Sequence, residues 1–230
     1  LLALSSPTAV ALPGGVRALW TDRADGDLRS VRSTHASPVV PGGPVGESPC
    51  HQLHQVHGSV VHVVGEGVAE PVPTGDALVS AHPTARLLVL TADCASIAMG
   101  SPEGVFAAVH AGWRGLAAGV IESAAAAMGD AGASVVTGSL GPCIHAECYA
   151  FSPADLSALV DRYGDQVRGV TSAGDLALDL PATVGAAFAR AEVTEVPGVD
   201  RCTACDERYY SHRARGDLGR QALIVWRDGR

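Results

Sequence analysis

The chain has 230 residues and a net charge of −8, and all 16 of its basic residues are arginine. The acidic balance argues against a nucleic-acid-binding protein, and the lack of lysine excludes Schiff-base chemistry and a P-loop. With 47% hydrophobic residues the chain can bury a large core, and we predict one domain over residues 1–230.

The opening segment, LLALSSPTAVALPGG, is mildly apolar but has no basic residue before Arg17, so we expect no signal peptide. No later window approaches the ~18 continuous apolar residues of a membrane span. We therefore expect a cytoplasmic protein, without a membrane partner, whose six cysteines are reduced thiols. Cys202 and Cys205 form a CxxC, but no second pair has matching spacing, so we interpret both as structural thiols rather than metal ligands.

Short apolar runs predict the strands of the first half of the chain. The predicted strands are residues 16–20, 59–64, 76–80, 87–90 and 105–109. Residues 24–48 are polar, rich in Gly, Pro and Ser, and without sustained periodicity, which predicts a long surface loop. The Ala-rich stretch that starts at Leu116 predicts a helix that ends near Gly129.

Helical patterns are more frequent in the second half. Residues 153–163 form a predicted helix with Ser152 as its N-cap and a proline at its first position. A second helix is predicted over residues 181–191, with Asp179 near its positive end. Two more strands are predicted, at residues 134–140 and 221–226, and no linker or repeat divides the chain.

Chemically reactive side chains lie at the ends of the predicted strands. Asp93 and Cys94 follow one strand, His110 ends the next, and His54 and His57 precede another. A thiol and imidazoles at strand ends are the groups that a metal centre needs, and also those that an activated nucleophile needs.

These side chains allow three interpretations. His57, Cys94 and His110 can supply the three protein ligands of a catalytic zinc, with a fourth position left open. Alternatively, Cys94 is a nucleophile activated by His110, with Asp93 or His57 orienting the imidazole. In the third interpretation Cys94 is a buried structural thiol and the histidines are ordinary loop residues. The spacing of the residues leaves all three open.

Four further residues are candidates for substrate binding. Trp113 is either a core residue or an aromatic wall of a cleft. Arg114, Arg213 and Arg220 are either surface residues or ligands of an anion. A chain without lysine must bind an anion with arginine, helix N-termini or backbone amides. Arg114 is favoured among them because it lies beside His110 at a predicted helix start.

Several motifs occur together in one order along the chain. They are HQVHG (residues 54–58), DALVS (76–80), TADC (91–94), HAGWRG (110–115), GPCIHAECY (141–149) and CTAC with SHR and GR (202–220). Over residues 17–226 the chain resembles the laccase-domain family, also called YfiH-type multicopper polyphenol oxidases and associated with purine nucleoside phosphorylase activity. HAGWRG beside TADC is the most specific part of this resemblance.

The resemblance implies a layered α/β sandwich of the αββα type, with a metal site at strand ends in a cleft. It also implies that His57, Cys94 and His110 are the metal ligands, with zinc as the cofactor and copper as the alternative. The implied activity is phosphorolysis of adenosine, inosine and methylthioadenosine, with adenosine deamination as a second activity. Purine nucleosides and phosphate are thus the expected partners.

The chain departs from the family pattern in two places. Relatives usually have a Gly-rich loop and a longer Asn-containing segment where this chain has its shorter residues 24–48. A pair of arginines in the tail appears here as Arg213 followed by Ala214. We assign proton transfer to Asp93 or His54, and phosphate binding to Arg114. The alternatives are a copper-dependent polyphenol oxidase, a Cys/His hydrolase and a non-catalytic metal-binding accessory protein.

Overall fold

The computed structural model describes residues 8–29, 50–67 and 71–228. In these residues, the strands are β1 (Thr8–Leu12), β2 (Val16–Trp20), β3 (Cys50–His51), β4 (Val61–Val63), β5 (Ala77–Ser80), β6 (Arg86–Thr91), β7 (Ala95–Gly100), β8 (Phe106–Ala111), β9 (Thr137–Leu140), β10 (Arg168–Val170), β11 (Leu176–Leu178), β12 (Thr194–Glu195) and β13 (Gln221–Arg227). The α-helices are α1 (Trp113–Ala118), α2 (Val120–Asp130), α3 (Pro153–Tyr163), α4 (Leu180–Arg190) and α5 (His212–Arg215).

Most of the strands belong to two sheets. The five-stranded sheet has the order β1-β2-β13-β6-β3, and the six-stranded sheet has the order β12-β9-β7-β8-β5-β4. β10 and β11 form a separate hairpin. The turn at residues 92–94 connects β6 of the first sheet to β7 of the second. The TADC motif therefore crosses between the sheets.

β8 lies at the centre of the core and is buried along its whole length. Side chains of a strand alternate between its two faces. Ala107 and Val109 face the helices, whereas Phe106 and Ala108 pack in the cluster between the two sheets. The position of His110 in this alternation places it on the same face as Phe106 and Ala108.

The helices cover the six-stranded sheet on its outer face. In α2 the buried residues include Ile121, Ala124 and Met128, which recur at the spacing of one helical face. They join the same hydrophobic cluster as Val109 of β8. The α/β sandwich and the single domain predicted from the sequence are confirmed, with two facing sheets and helices against one of them.

The helix boundaries predicted in the second half agree closely with the structure. The Ser152 hydroxyl accepts a hydrogen bond from the amide of Asp155 and caps α3. The Asp179 carboxylate caps α4 in the same way, since it accepts from the amide of Ala182. The predicted N-cap Ser152 is confirmed, and Asp179, which was predicted only as a negative charge near the helix start, also caps its helix.

The first half differs from the prediction in several respects, since the strands β1 and β3 were not predicted. The predicted single helix from Leu116 is divided into α1 and α2, because Gly119 adopts a left-handed conformation with φ of 81°. A strand that was not predicted, β7, begins at Ala95, directly after the TADC motif. Of the predicted loop at residues 24–48, the part from residue 30 onwards lies outside the described residues.

No helix in the described ranges is long and apolar enough to span a bilayer.

Candidate metal centre

Three metal-binding side chains converge at one end of the six-stranded sheet. One ligand atom from each of His57, Cys94 and His110 lies within 4.8 Å of the other two. His110 is on β8, and Cys94 immediately precedes β7, which pairs with β8 so that Ala95 is opposite Ala111. This register brings Cys94 beside the end of β8. His57 enters from the loop that precedes β4.

Asp76 holds two of these groups in place. Its carboxylate is fully buried, and Oδ1 accepts hydrogen bonds from Nδ1 of His110 at 2.8 Å and from the amide of His57 at 2.9 Å. Oδ2 accepts from the amides of Val56 and Gly58. Because Nδ1–H is donated to Asp76, Nε2 is the ring nitrogen of His110 that is left to bind a metal in place of a proton.

The sheet register places Asp76 next to His110. Residues Ala77 and Val109 are partners in the antiparallel pairing of β5 with β8. One step further along, the amide of His110 donates to the Asp76 carbonyl at 2.8 Å. The two side chains then lie on the same face of neighbouring strands, where directly opposite residues are in contact.

Thiol and imidazole influence each other's protonation. Burial disfavours the thiolate of Cys94, but His110 and His57 stabilise it and lower the pKa of Cys94 to about 6. Burial likewise disfavours the imidazolium of His110, but Cys94 and Asp76 outweigh it and raise the pKa of His110 to about 9. At neutral pH Cys94 is therefore a thiolate, the form that binds metal. A cation at this position would replace the proton on His110.

His57 reaches the cluster through a left-handed backbone conformation, with φ of 62°. A non-glycine residue rarely adopts this conformation, and the hydrogen bonds from residues 56–58 to Asp76 hold it there. The His57 ring packs edge-on against that of His110, with a centroid distance of 4.8 Å. Gly112 leaves room for both ligands, because a Cβ there would lie 2.7 Å from His57 and 3.2 Å from Cys94.

A Gly112→Ala substitution is therefore expected to displace His57. Crowding of this kind costs about 1–3 kcal/mol in the free energy of unfolding, and metal affinity should fall with it. Chemical denaturation and metal titration measure the two effects. Gly129→Ala is the matched control, because Gly129 lies in α2 with open space around its Cβ position. That variant should gain about 0.5–1 kcal/mol. Equal changes in unfolding free energy and in metal affinity in the two variants would contradict the close approach of His57 and Cys94 to Gly112.

An Asp76→Asn substitution tests the hydrogen bonds that orient His110. Each carboxylate oxygen accepts from two donors. The asparagine amide can be placed in two orientations, and in either one its NH₂ group faces two of these four donors and cannot accept from them. We expect zinc affinity to fall about 10- to 100-fold, as measured by competition with a chelator. Asp161→Asn, at an exposed position on α3, should leave it unchanged. Unaltered affinity in Asp76→Asn would show that His110 needs no such support.

The three donors line a cleft of about 870 Å³. A cavity of this size is within the range of ligand-binding sites, about 300–1,000 Å³. Its wall also includes the candidate substrate-binding residues Trp113, Arg114, Arg213 and Arg220. The structure thus places the predicted cations and the aromatic residue around the same opening as the predicted metal ligands.

The three arginines differ in how they are engaged. Arg114 is exposed, its guanidinium lies 4.3 Å above the Trp113 ring, and it forms no ion pair within the described ranges. Arg213 lies over the ring of Tyr149 at 4.8 Å and donates one hydrogen bond to a backbone carbonyl. The Nη1 atom of Arg220 donates to three carbonyls, at residues 217–219. Of these three arginines, Arg114 and Arg213 are the more available to an anionic ligand, and a fourth arginine of the cleft, Arg29, is paired with Asp27.

Sequence comparisons show the family to which the chain belongs. Residues 42–228 match the family model described as multi-copper polyphenol oxidoreductase laccase. The chain belongs to this laccase family. A purine nucleoside phosphorylase of Streptomyces coelicolor is 37% identical over 180 residues, which are 76% of this chain and 74% of that protein. A purine nucleoside phosphorylase of Streptomyces griseus is 36% identical over 191 residues, with coverage of 80% and 77%.

Solved structures share the fold of this laccase-family chain. A Neisseria meningitidis protein superimposes with a TM-score of 0.77 and 25% identity, over 96% of this chain and all of the other. The Bacillus licheniformis protein YfiH superimposes with a TM-score of 0.76 over 98% of both chains. At 17% identity, the second likeness concerns the fold alone.

The two proton-transfer candidates of this laccase-family chain lie in very different surroundings. Both oxygens of Asp93 are engaged, Oδ1 by the Thr203 hydroxyl at 2.6 Å and Oδ2 by the amide of Arg213 at 2.7 Å. Asp93 lines the cleft, and these two hydrogen bonds fix its carboxylate next to Cys94, its neighbour in sequence. His54 is exposed and is not among the residues that line the cleft. The structure therefore does not bring His54 to the site.

Sequence analysis missed several residues that shape the laccase-family site. Asp76 stands in the DALVS motif and was interpreted only as part of a strand. Gln55 fixes the loop before His57 to β6, because its side-chain amide donates to and accepts from the backbone of Leu90. Tyr149 lines the cleft beneath Arg213. For Asp76 the sequence did hold a signal of such a role, since an acidic residue in an otherwise apolar predicted strand is unusual.

Proposed function

We propose that the protein is a zinc-dependent purine nucleoside phosphorylase acting on adenosine, inosine and methylthioadenosine, with adenosine deamination as a side activity. The observation that carries the proposal is the convergence of His57, Cys94 and His110 in a cleft that also holds two available arginines. Relatives more than 30% identical over three quarters of the chain are named for purine nucleoside phosphorolysis, which supports the same choice.

Phosphorolysis requires the cleft to bind an anion beside a nucleoside. A phosphate oxygen forms a bond to C1′ of the ribose while the bond from C1′ to N9 breaks, and the purine leaves with the electron pair. Arg114 and Arg213 are the side chains that would bind and orient the phosphate, through charge-assisted hydrogen bonds. Arg114 is positioned for this role by its stacking on Trp113. Trp113 itself packs edge-on against Phe151, with a centroid distance of 5.4 Å.

The donor set fits a zinc ion. Two imidazoles and one thiolate are ligands that zinc prefers, and three protein ligands leave a position open for a substrate atom. A zinc ion held by His57, Cys94 and His110 would supply Lewis-acid polarisation of a water molecule or a substrate oxygen. The chain's own contribution is to keep Asp76 hydrogen-bonded to His110 and to the His57 loop, so that the donors are in place before a ligand binds.

Copper is the alternative metal, since a His₂Cys set also suits copper. A multicopper oxidase needs several copper centres. The other group of potential metal ligands in the described ranges combines three thiols with a carboxylate and has no imidazole. We therefore propose zinc for this chain, and metal analysis of the purified protein tests that choice.

The proposed activity is tested by measuring adenine release from adenosine with and without inorganic phosphate. We expect adenine and ribose 1-phosphate to form only when phosphate is present, and metal removal to abolish the reaction. Formation of inosine in the same samples measures deamination. If zinc-loaded protein releases no purine from any of the three nucleosides, the proposal is overturned in favour of a non-catalytic metal-binding protein.

A cysteine hydrolase is the second candidate, and one observation favours it. Asp76, His110 and Cys94 form a chain of contacts in which a carboxylate orients an imidazole beside a thiolate. That is the arrangement of a nucleophile with its base. The second imidazole, from His57, has no role in such a triad but completes a metal site. Treatment with a chelator distinguishes the two candidate functions, because it inactivates a metal enzyme and leaves a Cys–His hydrolase active.

A further inference from the structure

A second cluster of metal-binding groups lies outside the cleft. One ligand atom from each of Glu147, Cys148, Cys202 and Cys205 lies within 4.8 Å of the others. The sulfurs of Cys148 and Cys205 are 3.3 Å apart, and the Cys205 sulfur is 3.8 Å from Oε1 of Glu147. Four donors around a zinc ion with bonds of about 2.3 Å would lie about 3.8 Å from one another. The cluster therefore needs only small adjustments to surround such an ion.

The donors come from two short segments of chain. Cys202 and Cys205 are the ends of a CxxC turn, the spacing that zinc sites use most often for half of their ligands. Glu147 and Cys148 come from a short 3₁₀ helix more than 50 residues earlier. The structure supplies the second half of the site that the spacing of the cysteines alone did not reveal.

Burial and hydrogen bonding in the cluster suit a bound cation. Cys202 is buried, and its sulfur accepts a hydrogen bond from the amide of His145, a contact that stabilises a thiolate. Cys205 and Glu147 are exposed and leave a route for a metal ion from solvent.

The two segments also support the loop that carries Cys94. Thr203, inside the CxxC turn, donates to the Asp93 side chain at 2.6 Å. Ile144, three residues before Glu147, donates its amide to the Asp93 carbonyl at 2.9 Å. Asp93 has φ of 92°, a conformation that a non-glycine residue keeps only when its surroundings impose it. A link between the two segments would hold Asp93 from both sides.

We propose that Cys148, Cys202 and Cys205, with Glu147 as the fourth ligand, bind a second metal ion. This ion is a divalent cation such as Zn²⁺, and it links the two segments of chain. This site is structural. It lies beside the cleft and provides no group to the reaction. It does not depend on the proposed nucleoside phosphorylase activity, since its ligands are separate from His57, Cys94 and His110.

Zinc titration of reduced, metal-stripped protein tests the proposal. Unaltered protein should bind about two equivalents of Zn²⁺, the Cys94→Ser variant about one, and the Cys94→Ser/Cys205→Ser variant almost none. Cys205 is exposed, so its replacement by serine leaves the core intact. Cys94→Ser/Cys143→Ala is the matched control. Cys143 is a buried thiol outside both clusters, and this variant should keep its one equivalent.

A second measurement assigns the ligands directly. Co²⁺ bound by thiolates gives sulfur-to-metal charge-transfer absorption, whose intensity rises with the number of thiolate ligands. In the Cys94→Ser background this absorption should be strong, and Cys148→Ser should lower it by about a third. Glu147→Gln should keep the stoichiometry while weakening affinity about 10-fold.

Three results would overturn the proposal. The first is a Cys94→Ser protein with all thiols reduced that binds no zinc. The second is equal zinc content with and without Cys205. The third is a stable Cys148–Cys205 disulfide in freshly prepared protein, which would make the cluster a redox pair. Unchanged affinity in Glu147→Gln would overturn the assignment of Glu147 alone.

Discussion

A Cys94→Ser variant is expected to lose the metal bound by His57, Cys94 and His110, with its affinity falling at least about 100-fold. Zinc sites of four ligands bind with about 10–16 kcal/mol, or roughly 3 kcal/mol for each ligand, and a serine hydroxyl is a poor neutral substitute for a thiolate. The pKa of Cys94, about 6, means that a full negative charge is removed at neutral pH. Phosphate-dependent adenine release should be lost with the metal.

Metal content should be measured in proteins with and without Cys94→Ser that all carry Cys205→Ser, so that only metal bound by His57, Cys94 and His110 is counted. Cys143→Ala serves as the control, because it removes a buried thiol that belongs to neither cluster. Thermal unfolding shows whether each variant keeps its fold. A Cys94→Ser protein that is folded and retains its full equivalent of zinc would rule out Cys94 as a ligand.

Replacing Arg114 by alanine is expected to raise the phosphate concentration needed for half-maximal phosphorolysis by roughly 10- to 150-fold. A charge-assisted hydrogen bond contributes about 1.5–3 kcal/mol, and Arg114 has no competing carboxylate partner among the described residues. Deamination consumes water rather than phosphate, so inosine formation should fall much less. Zinc content should not change, because arginine is not a ligand.

Arg168→Ala is the matched control for this experiment. Arg168 pairs with Asp165 at 2.8 Å and does not line the cleft, so its loss should affect neither activity. Equal loss of phosphorolysis and deamination in Arg114→Ala would assign Arg114 to nucleoside positioning. If neither activity changes, Arg213 becomes the principal candidate for phosphate binding.

The resemblance to a family, and not the spacing of the residues, predicted which donors meet. His57, Cys94 and His110 lie in the motifs HQVHG, TADC and HAGWRG, whereas their spacing alone left a metal site, an activated nucleophile and a structural role open. The Ser152 cap could be predicted from the sequence, because a cap acts on an amide only three residues away.

Contacts between distant parts of the chain could not be predicted from the sequence in this way. The role of Asp76 depends on the register that sets Ala77 opposite Val109. The environment of Asp93 depends on Thr203, 110 residues later. β7 was missed because its residues are mostly small and follow TADC without a turn signal, so its apolar pattern is weak.

The three donors of the candidate centre differ in how firmly the fold holds them, and this difference sets the path of metal exchange. His110 lies on a strand enclosed by two sheets and the helices, and its ring is 3% exposed. Strands of this kind open only when the whole domain unfolds. His57 is exposed, and its side chain can rotate towards solvent while the amides of residues 56–58 stay bonded to Asp76. A metal ion should therefore enter and leave on the His57 side, at a rate set by rotation of that side chain rather than by global unfolding.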